Sequence, residues 1–190
     1  MRRGFNRYIN SAYDRMMGRS SAGWNDLVGQ IITRTTGAGR PTWTQLGTSP
    51  FYAYDFGIND AVQVIFHFNH DMSFNQRLDE CALYLHAHWI ASGTNTNTVK
   101  WQFTHTRAKG FAQGDVFDIA GGGTVVTVEE AATGTAWEHM TSEITTPISL
   151  VGDEPDILMF CEIKRITNGG ADNADNIYLL TSDCHYQVER

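Results

Sequence analysis

The sequence has little of what usually cross-links a small protein or anchors it in a membrane. Its three cysteines, Cys81, Cys161 and Cys184, lie far apart without CxxC spacing, so they indicate neither a disulfide framework nor a zinc knuckle. We expect them to be buried free thiols. No apolar run approaches the length that spans a bilayer, and polar residues interrupt residues 1–20 where a signal peptide needs an apolar core. These absences predict a soluble protein made in the cytoplasm.

Charged residues are also scarce, at 18% of 190 residues, and they are unevenly distributed. Residues 1–40 contain seven Arg and two Asp, a balance of +5, whereas the remaining residues contain 7 basic and 19 acidic groups, a balance of −12. The total of −7 argues against a general nucleic-acid binder, because polyanions are bound by cationic surfaces. The basic front end fits two interpretations: an arm that docks on an acidic surface or reaches nucleic acid, or a solvated, poorly ordered terminus.

What the sequence has in excess, 18 Gly and 12% aromatic residues, favours short strands and tight turns. From residue 51 onwards, strand-length segments alternate with turn residues. The predicted strands are Phe51–Ile58, Val62–Asn69, Cys81–Ala91, Thr98–Ala108, Thr124–Glu130, Trp137–Ile148, Ile157–Ile166 and Asn176–Val188. Because no helix separates them and several connections exceed hairpin length, we predict an all-β jelly-roll β-sandwich of about eight antiparallel strands.

One predicted strand differs from the others because it is apolar on both faces. Its first residues, Ile157–Cys161, are Ile, Leu, Met, Phe and Cys. A strand that is covered on both sides is either central in a larger architecture or faces another subunit. The sequence leaves both possibilities open.

Residues 1–50 are expected to form an N-terminal arm, and residues 51–190 the jelly-roll domain. Within the arm, the apolar residues of 4–17 recur close to a 3.6-residue period, which predicts a short helix ending at Gly18. Residues 18–50 are too apolar for a free linker, so we expect an extended segment lying on a partner surface. The residues expected to make this contact are Arg2, Arg3, Phe5, Arg7, Tyr8, Trp24, Leu27, Ile31 and Trp43.

His86 and His88 are the sharpest chemical feature of the sequence. They lie at positions i and i+2 of a predicted strand and so project from one face. Two such imidazoles can chelate a divalent transition metal, with His105 on the next predicted strand as a third ligand. The pair resembles the opening of the cupin metal motif, but residues 89–93 lack the carboxylate that usually follows. We favour histidines hydrogen-bonded within the sheet or at a subunit interface over a metal-dependent enzyme.

Recognisable nucleophile and phosphate motifs are absent from the sequence. Asp183-Cys184-His185 places a thiol beside a base, but catalysis requires convergence in space with an orienting third group. Gly121-Gly122-Gly123 leads into a strand and lacks the Lys-Ser/Thr of a phosphate-binding loop. We therefore expect no catalytic residues and no required cofactor.

The order of short motifs along the chain is informative in its own right. The motifs are Trp24-Asn25-Asp26-Leu27, Phe51-Tyr52-Ala53-Tyr54-Asp55-Phe56, Phe66-His67-Phe68-Asn69-His70-Asp71, His86-Ala87-His88-Trp89, Val99-Lys100-Trp101-Gln102-Phe103, Lys164-Arg165 and Asp183-Cys184-His185-Tyr186-Gln187. This series resembles a family of tailed-bacteriophage virion proteins over most of residues 24–190. The resemblance implies a jelly-roll structural protein that tends to form trimers. It also implies a role as a head decoration (cement) protein, a head fibre or a tail-associated protein, without catalytic residues.

Three functional hypotheses follow. The first is a non-enzymatic, homotrimeric capsid cement protein on the virion surface, whose arm binds the major capsid protein. The second is a tail- or head-fibre-associated protein that binds a receptor or glycan through exposed aromatic side chains. The third is a cupin-like metalloenzyme that uses the histidine pair. Deleting residues 1–45 is expected to leave a folded β body and to abolish association with capsids.

Overall fold

A computed structural model describes residues 24–33, 39–68, 82–110, 115–149 and 156–187. Within these ranges the chain forms β-strands and no helix, and thus no helix that could cross a membrane. The predicted helix at residues 4–17 lies outside the described residues. The strands are β1 (Trp24–Val28), β2 (Gln30–Ile32), β3 (Thr42–Gln45), β4 (Tyr52–Asp55), β5 (Ala61–Phe68), β6 (Ala82–Ala91), β7 (Thr98–Lys109), β8 (Thr124–Ala131), β9 (Met140–Glu143), β10 (Ile148–Ser149), β11 (Ile157–Ile166) and β12 (Ile177–Gln187).

The strands form two antiparallel sheets with jelly-roll topology. Sheet A has the order β10-β6-β12-β4-β3, with β1 also paired to β12 and β9 to β6, and sheet B has the order β2-β5-β11-β7-β8. The principal pairs are nested, because β4 pairs with β12, β5 with β11, β6 with β9, and β7 with β8. This nesting wraps the chain into two facing sheets and defines a jelly roll. The predicted fold class is therefore confirmed.

The core lies between the sheets because alternate residues of each strand point inward. On β7, Val99, Trp101 and Phe103 are buried, and the residues between them are partly exposed. Removing an aliphatic or aromatic side chain of this size from water contributes about 1.5–3 kcal/mol. The largest fully buried side chains include Trp89, Trp101, Phe56, Phe66, Phe68 and Phe103.

Strand β11 accounts for the segment that is apolar on both faces. It is the central strand of sheet B, between β5 and β7. Its inner residues, such as Met159 and Ile163, are fully buried in the core. On its outer face, Phe160 packs against Phe117 with 4.9 Å between the ring centroids. Of the two possibilities that the sequence left open, the structure therefore shows the first, a central strand.

The predicted boundary at residue 50 does not separate the described strands. β1 pairs with β12, β2 with β5, and β3 with β4, so all three belong to the sandwich. Gly29 carries the chain from sheet A to sheet B, and a Cβ there would lie 2.2 Å from the Val64 side chain. From Trp24 onwards, the described part of the predicted arm therefore belongs to the sandwich, and its side chains Leu27 and Ile31 pack against the core.

Candidate functional site

The outer face of sheet A carries a group of histidine and carboxylate side chains. His86 on β6 lies directly opposite Asp183 on β12 and Glu143 on β9. On the far side of β12, His185 lies opposite Asp26 on β1. Directly opposed residues project from the same face of a sheet, so four neighbouring strands bring these groups together. We call this group the histidine cluster, and it consists of Asp26, His86, His88, His139, Glu143, Asp183 and His185.

A β-bulge in β12 directs part of the cluster outward. The register between β12 and β6 shifts between Leu179 and Thr181. Leu179 packs in the core before the bulge and Cys184 after it, although strict two-residue alternation would put them on opposite faces. The extra residue, Leu180, is exposed. The bulge thereby turns Asp183 from the inner face to the outer face.

His86 is the centre of the cluster and is only 2% exposed. Its Nε2 hydrogen-bonds the Glu143 carboxylate, and its Nδ1 lies 3.1 Å from Asp183 Oδ1. This second contact has ion-pair distance, but neither atom is aligned for a hydrogen bond. The other carboxylate oxygen, Asp183 Oδ2, lies 3.0 Å from His88 Nε2. Asp183 therefore bridges the two histidines that the sequence pattern singled out.

The cluster extends on both sides of this bridge. On one side, Nε2 of His185 contacts the Asp26 carboxylate, and Nδ1 lies 3.3 Å from Glu143 Oε2. On the other side, His88 Nδ1 lies 2.9 Å from His139 Nε2. A continuous series of contacts thus runs from β1 to the loop that precedes β9.

Burial and neighbouring charges shift the pKa values of His86 and Asp183 in opposite directions. Burial disfavours the imidazolium form of His86, but its contacts with Asp183 and Glu143 outweigh burial and raise its pKa. Burial also disfavours the Asp183 carboxylate, and its contacts with His86 and His88 outweigh this effect and lower its pKa. The surroundings therefore favour an ion pair between His86 and Asp183.

The same side chains include two possible sets of metal ligands. Within the described ranges, the ligand atoms of His86, His88 and Asp183 lie within 4.8 Å of one another, as do those of His86, Glu143 and His185. Imidazole nitrogens and carboxylate oxygens are ligands that zinc and related divalent metals accept. The two sets share His86, which offers Nδ1 to the first and Nε2 to the second.

His105 does not join this cluster. It lies on β7 of sheet B, opposite Cys161, and its side chain faces the interior at 5% exposure. The jelly roll crosses from one sheet to the other between β6 and β7, so the next strand in sequence is not the neighbouring strand in space. Burial, with a smaller effect of the Arg107 charge, lowers the pKa of His105 to about 4. The expectation of His105 as a third ligand is therefore wrong.

The adjacent residues Cys184 and His185 face opposite sides of sheet A. Cys184 is fully buried, and its thiol donates to the Leu27 carbonyl oxygen at 3.7 Å. Burial raises the pKa of the Cys184 thiol and that of Cys161, which makes both poor nucleophiles. The prediction of buried free thiols is confirmed for these two cysteines. Cys81 lies outside the described residues.

The residues predicted to contact a partner differ in their environments. Leu27 and Ile31 pack against the chain's own core. Trp43, on the edge strand β3, is 58% exposed. Its ring stacks on Tyr52 with 6.3 Å between centroids and 14° between planes, and it meets Tyr54 edge-on at 4.6 Å. The side chains outside the described structure are those of Arg2, Arg3, Phe5, Arg7, Tyr8 and Trp24.

Comparisons with known proteins add little to this description. No family model and no curated protein matches the chain. Among solved structures, the chain is similar to a β-1,3-glucan binding CBM6 from Bacillus halodurans, at 12% identity over 87% of this chain and 89% of the other, with a TM-score of 0.31. It is also similar to Eiger TNF from S. frugiperda, at 10% identity over 90% and 94% of the two chains, with a TM-score of 0.31. Neither similarity bears on function.

Proposed function

We propose that this protein is a non-enzymatic structural protein of a tailed-bacteriophage virion, and specifically a capsid cement protein that binds the major capsid protein. In this proposal the jelly roll lies on the capsid surface as a homotrimer. The N-terminal segment makes the attachment, and the histidine cluster joins strands of the fold without performing a reaction.

The proposal is carried by the position of the virion-protein-like motifs in the fold. Trp24–Leu27, His86–Trp89 and Asp183–Gln187 lie on β1, β6 and β12, which are neighbours in sheet A. Each of these motifs contributes at least one side chain to the histidine cluster. Motifs that are far apart in sequence thus form one structural unit, as expected for features that define the fold of a structural protein.

The charge distribution supports attachment through the N-terminal segment. Residues 1–40 carry a balance of +5 on seven Arg and two Asp, and the rest of the chain carries −12. Such a segment is attracted to an acidic surface from which the body itself is repelled. On a symmetric capsid, many individually weak contacts of this kind add up through multivalency.

The open edge formed by β1 and β2 supports self-association. Val28 on β1 is 66% exposed, and Ile32 on β2 is 39% exposed. Among the described strands, β2 is at the end of sheet B and β1 pairs only with β12, and exposed strand edges invite pairing with another chain. A closed trimer would cover this edge on every copy. Native mass spectrometry of the purified protein tests this part of the proposal, and a monomer at micromolar concentration would contradict it.

Locating the protein in virions tests the proposal as a whole. We expect cryo-electron microscopy to show regular density on the head lattice into which the jelly roll fits. Density confined to the tail or spikes would contradict a cement role and support the second candidate below. Absence of the protein from purified virions would contradict both.

A deletion tests the mode of attachment. Removing residues 1–45 would also remove β1, β2 and β3, so removing residues 1–22 is the sharper experiment. We expect the shorter deletion to keep the circular dichroism spectrum of a β protein and to lose cosedimentation with purified capsids. A matched variant, in which glutamine replaces Arg2, Arg3, Arg7, Arg15 and Arg19, separates charge from length. Undiminished cosedimentation of the deleted protein would contradict attachment through this segment.

A second candidate function, glycan binding by a tail- or head-fibre-associated protein, is favoured by Trp43. Its ring is 58% exposed and is supported by the nearly parallel ring of Tyr52, and exposed aromatic rings of this kind can stack on sugars. Tryptophan fluorescence during titration with a panel of neutral oligosaccharides tests this function. We expect Trp43→Ala to abolish a signal that Phe51→Ala retains, because Phe51 is exposed outside this stack. No response to any oligosaccharide would count against this candidate.

A further inference from the structure

We propose that His86, His88 and Asp183 form a binding site for one divalent transition-metal ion of the zinc type. The site lies on the outer face of sheet A and joins β6 to β12. It is independent of the proposed virion role, because it rests on the geometry of these three side chains alone.

The ligand atoms come from two directly paired strands. His86 and His88 lie two residues apart on β6, and Asp183 is the register partner of His86 on β12. His86 Nδ1 lies 3.1 Å from one Asp183 oxygen, and His88 Nε2 lies 3.0 Å from the other. The three side chains therefore present two imidazole nitrogens and a carboxylate to a common region. Three such ligands plus water complete the usual four-coordinate geometry of a zinc site that retains an open position.

The contact between His86 and Asp183 points to a cation between them. His86 Nδ1 and Asp183 Oδ1 are both buried from solvent, and neither has a hydrogen-bond partner within the described structure. The opposite nitrogen of His86, Nε2, donates its proton to the Glu143 carboxylate. Without metal, Nδ1 carries the second proton of the imidazolium and faces Asp183 Oδ1 in the ion pair. A metal ion that displaces this proton frees the Nδ1 lone pair, so that Nδ1 and Oδ1 can both coordinate it.

The groups behind the ligands have the arrangement typical of metal sites. A metal-bound histidine usually donates its other ring nitrogen to a carboxylate or another oxygen, which fixes its orientation. Glu143 fulfils this role for His86. For His88, the Thr141 hydroxyl oxygen lies 3.2 Å from Nδ1 and can accept its proton. Both histidines are thus oriented with one nitrogen towards Asp183.

The alternative set of His86, Glu143 and His185 fits a metal less well. His86 and Glu143 already satisfy each other through a direct hydrogen bond. His185 is held through Nε2 by the Asp26 carboxylate. These groups have hydrogen-bond or ion-pair partners in addition to one another, whereas Nδ1 of His86 and Oδ1 of Asp183 have only their mutual ion-pair contact and no hydrogen bond within the described structure. The first set is therefore the one that a metal would complete.

Cobalt titration of the tag-free, chelator-treated full-length protein tests this site. We expect visible absorption bands of Co²⁺ in a low-symmetry nitrogen and oxygen environment, saturating at one equivalent per chain. Elemental analysis after exposure to Zn²⁺ should give the same stoichiometry, and saturating Zn²⁺ should raise the melting temperature. Absence of stoichiometric metal from folded protein would overturn the proposal and favour a doubly protonated His86 in its place.

Five variants test the assignment of the ligands. His88→Ala and Asp183→Asn should abolish the cobalt bands, whereas Glu143→Gln should weaken binding by about 10–100-fold, because Glu143 only orients a ligand. His67→Ala is the matched control, since His67 forms a similar pair with Asp156, at 3.1 Å, on sheet B. Circular dichroism verifies that each variant is folded. Retained binding in folded His88→Ala, or its loss in His185→Ala instead, would overturn the assignment.

Discussion

His86 and His105, the histidines that are buried among the described residues, have opposite electrostatic environments. They are almost equally buried, at 2% and 5% exposure. His86 lies on the outer face of sheet A, where contacts with Asp183 and Glu143 outweigh burial and raise its pKa. His105 lies on the inner face of sheet B, where burial lowers its pKa to about 4. For these two histidines the neighbouring groups, and not the extent of burial, decide which protonation state is favoured.

The difference reflects which strands pair beside each histidine. Beside His86, the paired residues on β12 and β9 are Asp183 and Glu143, so carboxylates flank it on both sides. The partner of His105 on β11 is Cys161, and the nearby charge of Arg107 disfavours a second cation. His86 thus forms charged contacts that connect β6 to β12 and β9, and His105 lies in the core as a neutral side chain.

The largest expected effect comes from removing the central carboxylate. We expect Asp183→Asn to lower the free energy of unfolding of the metal-free protein by about 3 kcal/mol at pH 7, because removing one partner of a buried ion pair leaves the other uncompensated. Urea unfolding followed by tryptophan fluorescence measures this loss.

Asp156→Asn is the matched control, because Asp156 forms a comparable ion pair with the exposed His67. Exposed pairs contribute little, so its loss should be below about 1 kcal/mol. Equal losses in the two variants would show that burial of the histidine cluster does not strengthen its ion pairs.

A smaller effect is expected when His105 is protonated in acid. Its pKa is about 4 in the folded protein and has an ordinary value of 6.5, so the unfolded chain binds more protons between these values. Stability from neutral His105 is complete above pH 6.5 and falls as the pH drops towards 4. Integration gives a loss of about 2 kcal/mol at pH 5 relative to pH 8. Urea unfolding at a series of pH values measures this slope.

His105→Leu isolates this contribution, because leucine fills a similar volume and cannot be protonated. The variant should match or exceed the stability of the natural sequence at pH 8, since a buried nitrogen without a partner is removed. Its stability should decrease about 2 kcal/mol less between pH 8 and pH 5. Parallel pH profiles for the two proteins would exclude His105 as the titrating group.

Local alternation in the sequence was sufficient to predict most of the later strands. The pattern of Val99, Trp101 and Phe103 identifies β7, and both faces of β11 are apolar because it is central. The predicted strand Trp137–Ile148 is instead two short strands, β9 and β10, and Trp137 at its start has a turn conformation with φ of 66°. β1 to β3 were not predicted, because each is short and β1 pairs with β12, more than 150 residues away.

Of the histidine cluster, the sequence predicted only the part that follows from the two-residue periodicity of a single strand. His86 and His88 share a face because they lie two residues apart on one strand. Glu143 and Asp183 become their partners through long-range register, which single-sequence periodicity does not contain. For Asp183, simple alternation from Leu179 even gives the wrong face, because the bulge is not visible in the pattern. An available signal was the second spacing of this kind, Asp183 and His185, two residues apart within one motif.

The smallest effect should come from the outer carboxylate of the cluster. Glu143 is 47% exposed, so water screens its charge, and a glutamine in its place would retain an oxygen that accepts the His86 Nε2 proton. We expect Glu143→Gln to cost about 1 kcal/mol or less in urea unfolding of the metal-free protein. Glu129→Gln, which alters the exposed pair with Lys100 on sheet B, is the control and should have a still smaller effect. If Glu143→Gln were as destabilising as Asp183→Asn, the charge of His86 would depend on both carboxylates equally, and the outer part of the cluster would have to be treated as buried.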